Sequence, residues 1–241
     1  MLATGMMNST VRNENDPALA ILSEFIESKK PLLQATSIMG LGIAYTASNR
    51  QDLKDVLLPI ISDTSIDLQI SSIAALTLGQ IFIGQGAKAD NEIASTMLQT
   101  LMEMESSQFK SPWIKLYGLG LALLFFGKQD ASDAIVETLK AIAHPVANEA
   151  IVMLSLCSFS GTGEVLRIQQ MLRMCAERPE READKDKDEK KEDDEKKKEA
   201  DKGEFKAGLA VIAIAAIAMG EDIGKELCMR HFGHLVFPIT F

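Results

Sequence analysis

Three cysteines, three histidines, two tyrosines and a single tryptophan are all that 241 residues hold of the side chains that most often ligate metals or build polar aromatic platforms. Cys157, Cys175 and Cys228 have no paired spacing, which argues against a disulfide framework and for reduced thiols in a cytosolic or nuclear protein. Basic excess is missing as well: 25 Lys and Arg stand against 34 Asp and Glu, a net charge of −9. With no basic stripe to meet phosphate, nucleic acid is not the expected partner. The longest apolar runs, 116–126 and 207–219, reach 11 and 13 residues. Both fall short of the roughly 20 that cross a bilayer, so no membrane span is expected. The opening MLATGMMNSTVRNENDP lacks the basic-then-apolar order of a secretory signal.

Motifs for chemistry are missing too. Gly127-Lys128 and Gly224-Lys225 lack the upstream glycine and following Ser or Thr of a phosphate loop. SGTGEV has no third glycine and no strand before it, so it is no dinucleotide fingerprint. Ser160 and His144 sit among scattered acids with no nucleophile pattern. Cys228, His231 and His234 are spaced three apart, but a fourth zinc ligand is wanting and the set reads as packing. The expectation is a non-enzyme with no cofactor and no metal.

What is there is repetition. The stretch 37–63, SIMGLGIAYTASNRQDLKDVLLPIISD, reads as a buried inner helix over 38–47, a Ser-Asn turn, and an amphipathic outer helix from Gln51 that Pro59 helps to end. Leu53, Val56, Leu57 and Ile60 are expected inward, with Asp52, Lys54 and Asp55 outward. GIAYTA, GQIFIG, ALLFFG, LCSFSG and AAIAMG align, starting at Gly42, Gly79, Ala122, Leu156 and Ala215. The starts lie 37, 43, 34 and 59 residues apart, and the last gap holds the charged run 177–204. Removing that run restores a period of one helical hairpin, so the fold class is all-α, an α-solenoid. The opening segment reads as a further unit with a shortened inner helix and an outer helix over 18–28 opened by Pro17, Leu19, Leu22 and Ile26 sharing a face. Trp113, Phe125, Phe126, Met97, Met102 and Met104 are expected to pack in the repeat core.

Four segments follow: hairpin repeats over 1–176, a solvated insertion over 177–204, a further repeat over 205–235, and an atypical tail over 236–241. In the insertion 24 of 28 residues are charged and nothing can bury enough apolar area to offset ordering.

FKAGLAVIAIAAIAMGEDIGKELCMRHFGHL near the end, LGIAYTASNR with LLPI behind it, and VRNENDPALAILS near the start resemble the proteasome/cyclosome repeats of the large non-ATPase scaffolds in the 26S proteasome base. A Lys/Glu/Asp-rich insertion at this place fits the same family. The likeness covers nearly all of 1–235, whereas the chain begins inside a repeat and VFPITF does not look like another one, so a fragment or an incorrectly ended gene model is expected. It implies an incomplete toroid resting on the proteasomal ATPase ring, in cytoplasm and nucleus as part of the proteasome. It also implies outer helices that receive ubiquitin chains and shuttle proteins with ubiquitin-like domains. The receptor positions carried over to this chain are Glu92, Gln99 and Glu103 on the outer helix 91–105, with Gln99 neutral where some members carry an acid.

The helix can be read without the family. At 100° per residue Glu92, Gln99 and Glu103 fall within about 20° of one line, with Ile93, Met97, Leu101 and Met104 on the opposite side. Asp55 on the preceding outer helix, and Asp133 and Glu137 on the following one, are expected to extend that stripe if the repeats stack in parallel. The alternative reading is an unrelated helical-repeat adaptor, a coat or transport scaffold, whose acids only keep a face soluble.

Overall fold

A computed structural model describes residues 1–9, 15–88, 91–142, 144–176 and 192–236, the last span as backbone alone at 192–204 and 231–236. Among the described residues every regular element is helical. They are α1 (Leu2–Met7), α2 (Pro17–Ser23), α3 (Pro31–Ala44), α4 (Gln51–Ser62), α5 (Leu68–Ile81) and α6 (Glu92–Glu103). After them come α7 (Ile114–Leu124), α8 (Asp133–Lys140), α9 (Pro145–Ser158), α10 (Val165–Ala176), α11 (Glu192–Ala218) and α12 (Asp222–Val236). The chain divides into two compact units at Ser158/Phe159.

In the first unit α1, α3, α5, α7 and α9 form a row of inner helices, each packed on the next. Each outer helix lies against the following inner one: α2 on α3, α4 on α5, α6 on α7 and α8 on α9. The inner helices are rich in small residues because their backbones nearly touch. A Cβ added to Gly79 would stand 2.6 Å from the Cα of Gly120, so glycine is what lets α5 and α7 approach. Helix α5 is buried from Ile70 to Ile81 but for Gln80, while α4 and α6 bury only one stripe each.

The five aligned segments all end on a residue with positive φ: Ala47, Gly84, Gly127, Gly161 and Gly220. In the first unit that residue donates its N–H to the second residue of the next segment, Ala47 to Gln80 O (2.9 Å), Gly84 to Leu123 O (3.0 Å) and Gly127 to Cys157 O (3.0 Å). Asn49 and Gly86 add second rungs to Ile81 O and Leu124 O. The carbonyls at an inner helix's C-terminus have no partner within their own helix. Here the turn of the preceding repeat supplies the donors, so capping and stacking are one interaction.

The second unit, from Phe159 onward, packs α10, α11 and α12 together. Gly161 and Gly163 donate to Ala216 O (2.9 Å) and Ile217 O (2.8 Å), the same two-rung pattern. Ala210, Ala213, Ile214 and Ile217 of α11 are buried, whereas Val211 and Ile212 are exposed.

Several expectations shift. Helix α3 begins at Pro31 and stops at Ala44, because Pro31 fits the first turn and the chain leaves helical geometry before Ala47 at φ 58°. Pro59 lies inside α4, which continues to Ser62; near the helix end a missing N–H costs one bond, and Asp63 N–H still caps Pro59 O. Val56 is half exposed and Ile61 takes the inward place, since the buried stripe is centred on Leu53, Leu57, Ile60 and Ile61. Helix α2 ends at Ser23; Leu22 and Ile26 are buried, and Leu19 only partly so. Trp113, Phe126 and Met102 are exposed, while Phe125 and Met97 are core: Trp113 and Phe126 flank α7 at its turns, and Met102 projects from the outward side of α6. Helix α11 starts at Glu192, within the run read as a solvated insertion. Residues 177–191 of that run and 237–241 of the tail lie outside the described residues.

Candidate functional site

Helix α6 is started by Asn91, whose side chain accepts the N–H of Ala94 at 3.1 Å, the usual way a first-turn donor is satisfied. From that start the 3.6-residue period fixes both faces. Ile93, Ala94, Met97 and Leu101 are buried, Met104 is half-buried, and Glu92, Gln99 and Glu103 are exposed. The three expected stripe residues therefore share an outward face. Gln99 donates its amide to a Glu103 carboxylate oxygen at 2.9 Å, one turn apart.

Asp55 is exposed on α4, which packs beside α6. Lys54 joins the two helices: its ammonium lies 2.9 Å from Glu92 Oε2. This cation was not among the residues picked from the sequence as part of the stripe. A signal was available, since Lys54 and Glu92 are 38 residues apart, one repeat period. Both Glu92 and Asp55 favour the charged form of Lys54 and raise its pKa, the hydrogen bond that Lys54 donates to Glu92 being the largest cause. Asp133 and Glu137 are exposed on α8, one hairpin further on, where α8 packs on α9; Glu137 pairs with Lys140 at 2.8 Å. The structure thus unites the α4 and α6 acids through Lys54.

At the C-terminal end of α6 a shallow open hollow is lined by Ile61, Ile66, Met104, Asp63, Thr100 and Glu103. It is mixed in character, and it borders the stripe at Glu103.

A second charged group secures the turn ahead of α4. Arg50 reaches Asp16 at 2.6 Å, pairs with Asp52, and lies 4.9 Å over the Tyr45 ring. Tyr45 in turn donates its hydroxyl to Asp16 and accepts the N–H of Leu19. Arg50, through its hydrogen bond, holds the Asp52 carboxyl below the usual range. These contacts tie the start of α2 to the α3–α4 turn.

The cysteines offer no nucleophile. Burial pushes the Cys157 thiol up to about 11 and raises Cys175 and Cys228, so all three stay protonated near neutral pH. Among the described residues no three His, Cys, Asp or Glu side chains are grouped to hold a metal; the side chains of His231 and His234 lie outside them. Among the described residues, no helix is long and apolar enough to cross a membrane.

The model of the proteasome/cyclosome repeat matches residues 36–69, which span most of α3, all of α4 and the start of α5. The chain is 47% identical to "26S proteasome regulatory subunit rpn1" of Schizosaccharomyces pombe, over 98% of this chain and 24% of that protein. It is 41% identical to "26S proteasome regulatory subunit rpn-1" of Neurospora crassa, with 98% of this chain and 24% of that protein aligned. It is 36% identical to "26S proteasome non-ATPase regulatory subunit 2" of Dictyostelium discoideum, covering 98% and 23%. The chain spans about a quarter of the length of the curated relatives it matches.

Proposed function

We propose, from the premise that this chain is homologous along 98% of its length to one stretch of the 26S proteasome regulatory subunits, that it is a non-catalytic scaffold segment of the proteasome's regulatory particle. Its outer helices dock ubiquitin chains and the ubiquitin-like domains of shuttle proteins. The repeat row rests on the ATPase ring, and the chain resides with the proteasome in cytoplasm and nucleus. The observation that carries the docking reading is the exposed line Glu92, Gln99 and Glu103 on α6, continued by Asp55 across the Lys54 bridge.

The chemistry is complementary. Ubiquitin's recognition face is an apolar patch ringed by basic residues, and here carboxylates border a partly apolar hollow and the exposed Met102. Exposed ion pairs each contribute about 0 to 1 kcal/mol, so one ubiquitin binds weakly. Linked ubiquitins gain through effective concentration. Asp133 and Glu137, one hairpin along, are the positions a second module of a chain would reach.

The experiment is a titration of the isotope-labelled chain with linked ubiquitin, followed by amide chemical shifts. Shifts are expected along α6 and α4, and Glu92→Lys combined with Glu103→Lys is expected to abolish them. A folded wild-type chain whose shifts do not move under linked ubiquitin overturns the docking reading. Co-purification with ATPase-ring subunits tests the scaffold role separately, and a stable complex lacking them would favour a different adaptor.

A further inference from the structure

The acids of the proposed face are not held alike. Glu103 is engaged by Gln99 of its own helix, and Glu137 by Lys140 of its own helix. Asp52 is taken by Arg50, two residues before it. Glu92 is gripped from the neighbouring repeat, by Lys54 of α4 at 2.9 Å. The Lys54 side chain is 22% exposed and the Glu92 side chain 60% exposed, so the carboxylate stays open to solvent while it holds the ammonium. Asp55, next to Lys54 in the chain, adds its negative field to the same ammonium.

From this arrangement we infer that Lys54 is a built-in competitor of the docking face: its ammonium occupies the Glu92 carboxylate that a basic-rimmed partner would engage, and so lowers affinity for that partner. The inference rests on the docking reading above and adds its regulation. An arriving Lys or Arg must share Glu92 with Lys54 or displace it, and meets like-charge repulsion at the seam between the two repeats. Replacing the positive charge by a neutral group of similar length removes both obstacles. It also makes the local field more negative by one charge, which steepens the dependence of binding on salt. A purely structural bridge would act in the opposite sense, since its loss would loosen α4 against α6 and weaken binding.

The test compares wild type, K54Q, K54R and E92Q as full chains, titrated with linked ubiquitin at low and physiological salt. Lys54 and Glu92 both lie outside the core, and helix content by circular dichroism verifies that each variant is folded. K54Q is expected to bind about two- to fivefold tighter than wild type, the range an exposed pair supports, with a steeper loss on adding salt. K54R keeps the charge and stays at wild-type affinity. In the E92Q background K54Q loses most of its gain, because the two residues act on one another. Wild type that binds, together with K54Q that binds equally or more weakly, overturns the inference and leaves the docking reading intact. Wild type that does not bind removes the docking reading, and this inference with it.

Discussion

At the scale of single residues, the turn before α4 depends on one cation serving several acceptors. Arg50 spans from Asp16, at φ 39°, to Asp52 at the start of α4, with Tyr45 beneath it. A carboxylate whose folded pKa is depressed stabilises the fold above its unfolded pKa, and loses that contribution as pH falls through the folded value. Asp52 is such a group, and Arg50 is the largest cause of its depression. Arg50→Met is therefore expected to lower the melting temperature at neutral pH, and the gap to wild type should close as pH drops below about 4. Asp52 is half exposed, so solvent screening limits its share of the gap to about 1 kcal/mol or less. Thermal melts of both proteins across that range check the sign.

At the scale of elements, the inner helix and its turn act together. Ala47, Gly84, Gly127 and Gly161, at positive φ in their turns, each aim an N–H at the end of the next inner helix, and glycine occupies most of these positions because left-handed backbone is strained for other residues. Gly127 isolates the effect: its φ is +67° and a Cβ there would meet nothing within 4 Å. Gly127→Ala should thus cost about 1 kcal/mol from backbone strain alone, with Gly127→Asn recovering part of it. At Gly84 an added Cβ would also press on Phe126 O at 3.2 Å, so Gly84→Ala should cost more. Urea unfolding of the three variants separates strain from crowding.

At the scale of the whole molecule, the first unit is ordered around α5, which is enclosed by α3, α4 and α7. Hydrogen exchange is expected to be slowest in the middle of α5, near Ile73 to Leu78, and fastest in the short α1 and α2. Equal protection along the row would mean that burial does not set local stability here. The spacing of small residues made the row legible before any coordinates, because backbones that nearly touch demand glycine or alanine at a fixed period. Helix ends were less legible. Pro31 and Pro59 both punctuate a sequence, yet one opens α3 and the other sits inside α4, a choice settled by which N–H the surroundings require. Exposure of Val56, Trp113, Phe126 and Met102 was illegible for a related reason: an apolar side chain at the margin of a stripe is buried only if a neighbouring helix arrives on that side.

The chain's own residues determined that helices would pair, where hairpins would turn, and that Glu92, Gln99 and Glu103 would share one face, since a 3.6-residue period leaves no alternative once Ile93, Met97 and Leu101 point inward. Tertiary structure decided which of the groups spaced about one repeat period apart actually meet. Lys54 found Glu92, and the turn residues found the carbonyls one repeat on, because such pairings depend on how far one repeat is shifted against the next, a quantity set by packing between backbones and written in no single hairpin.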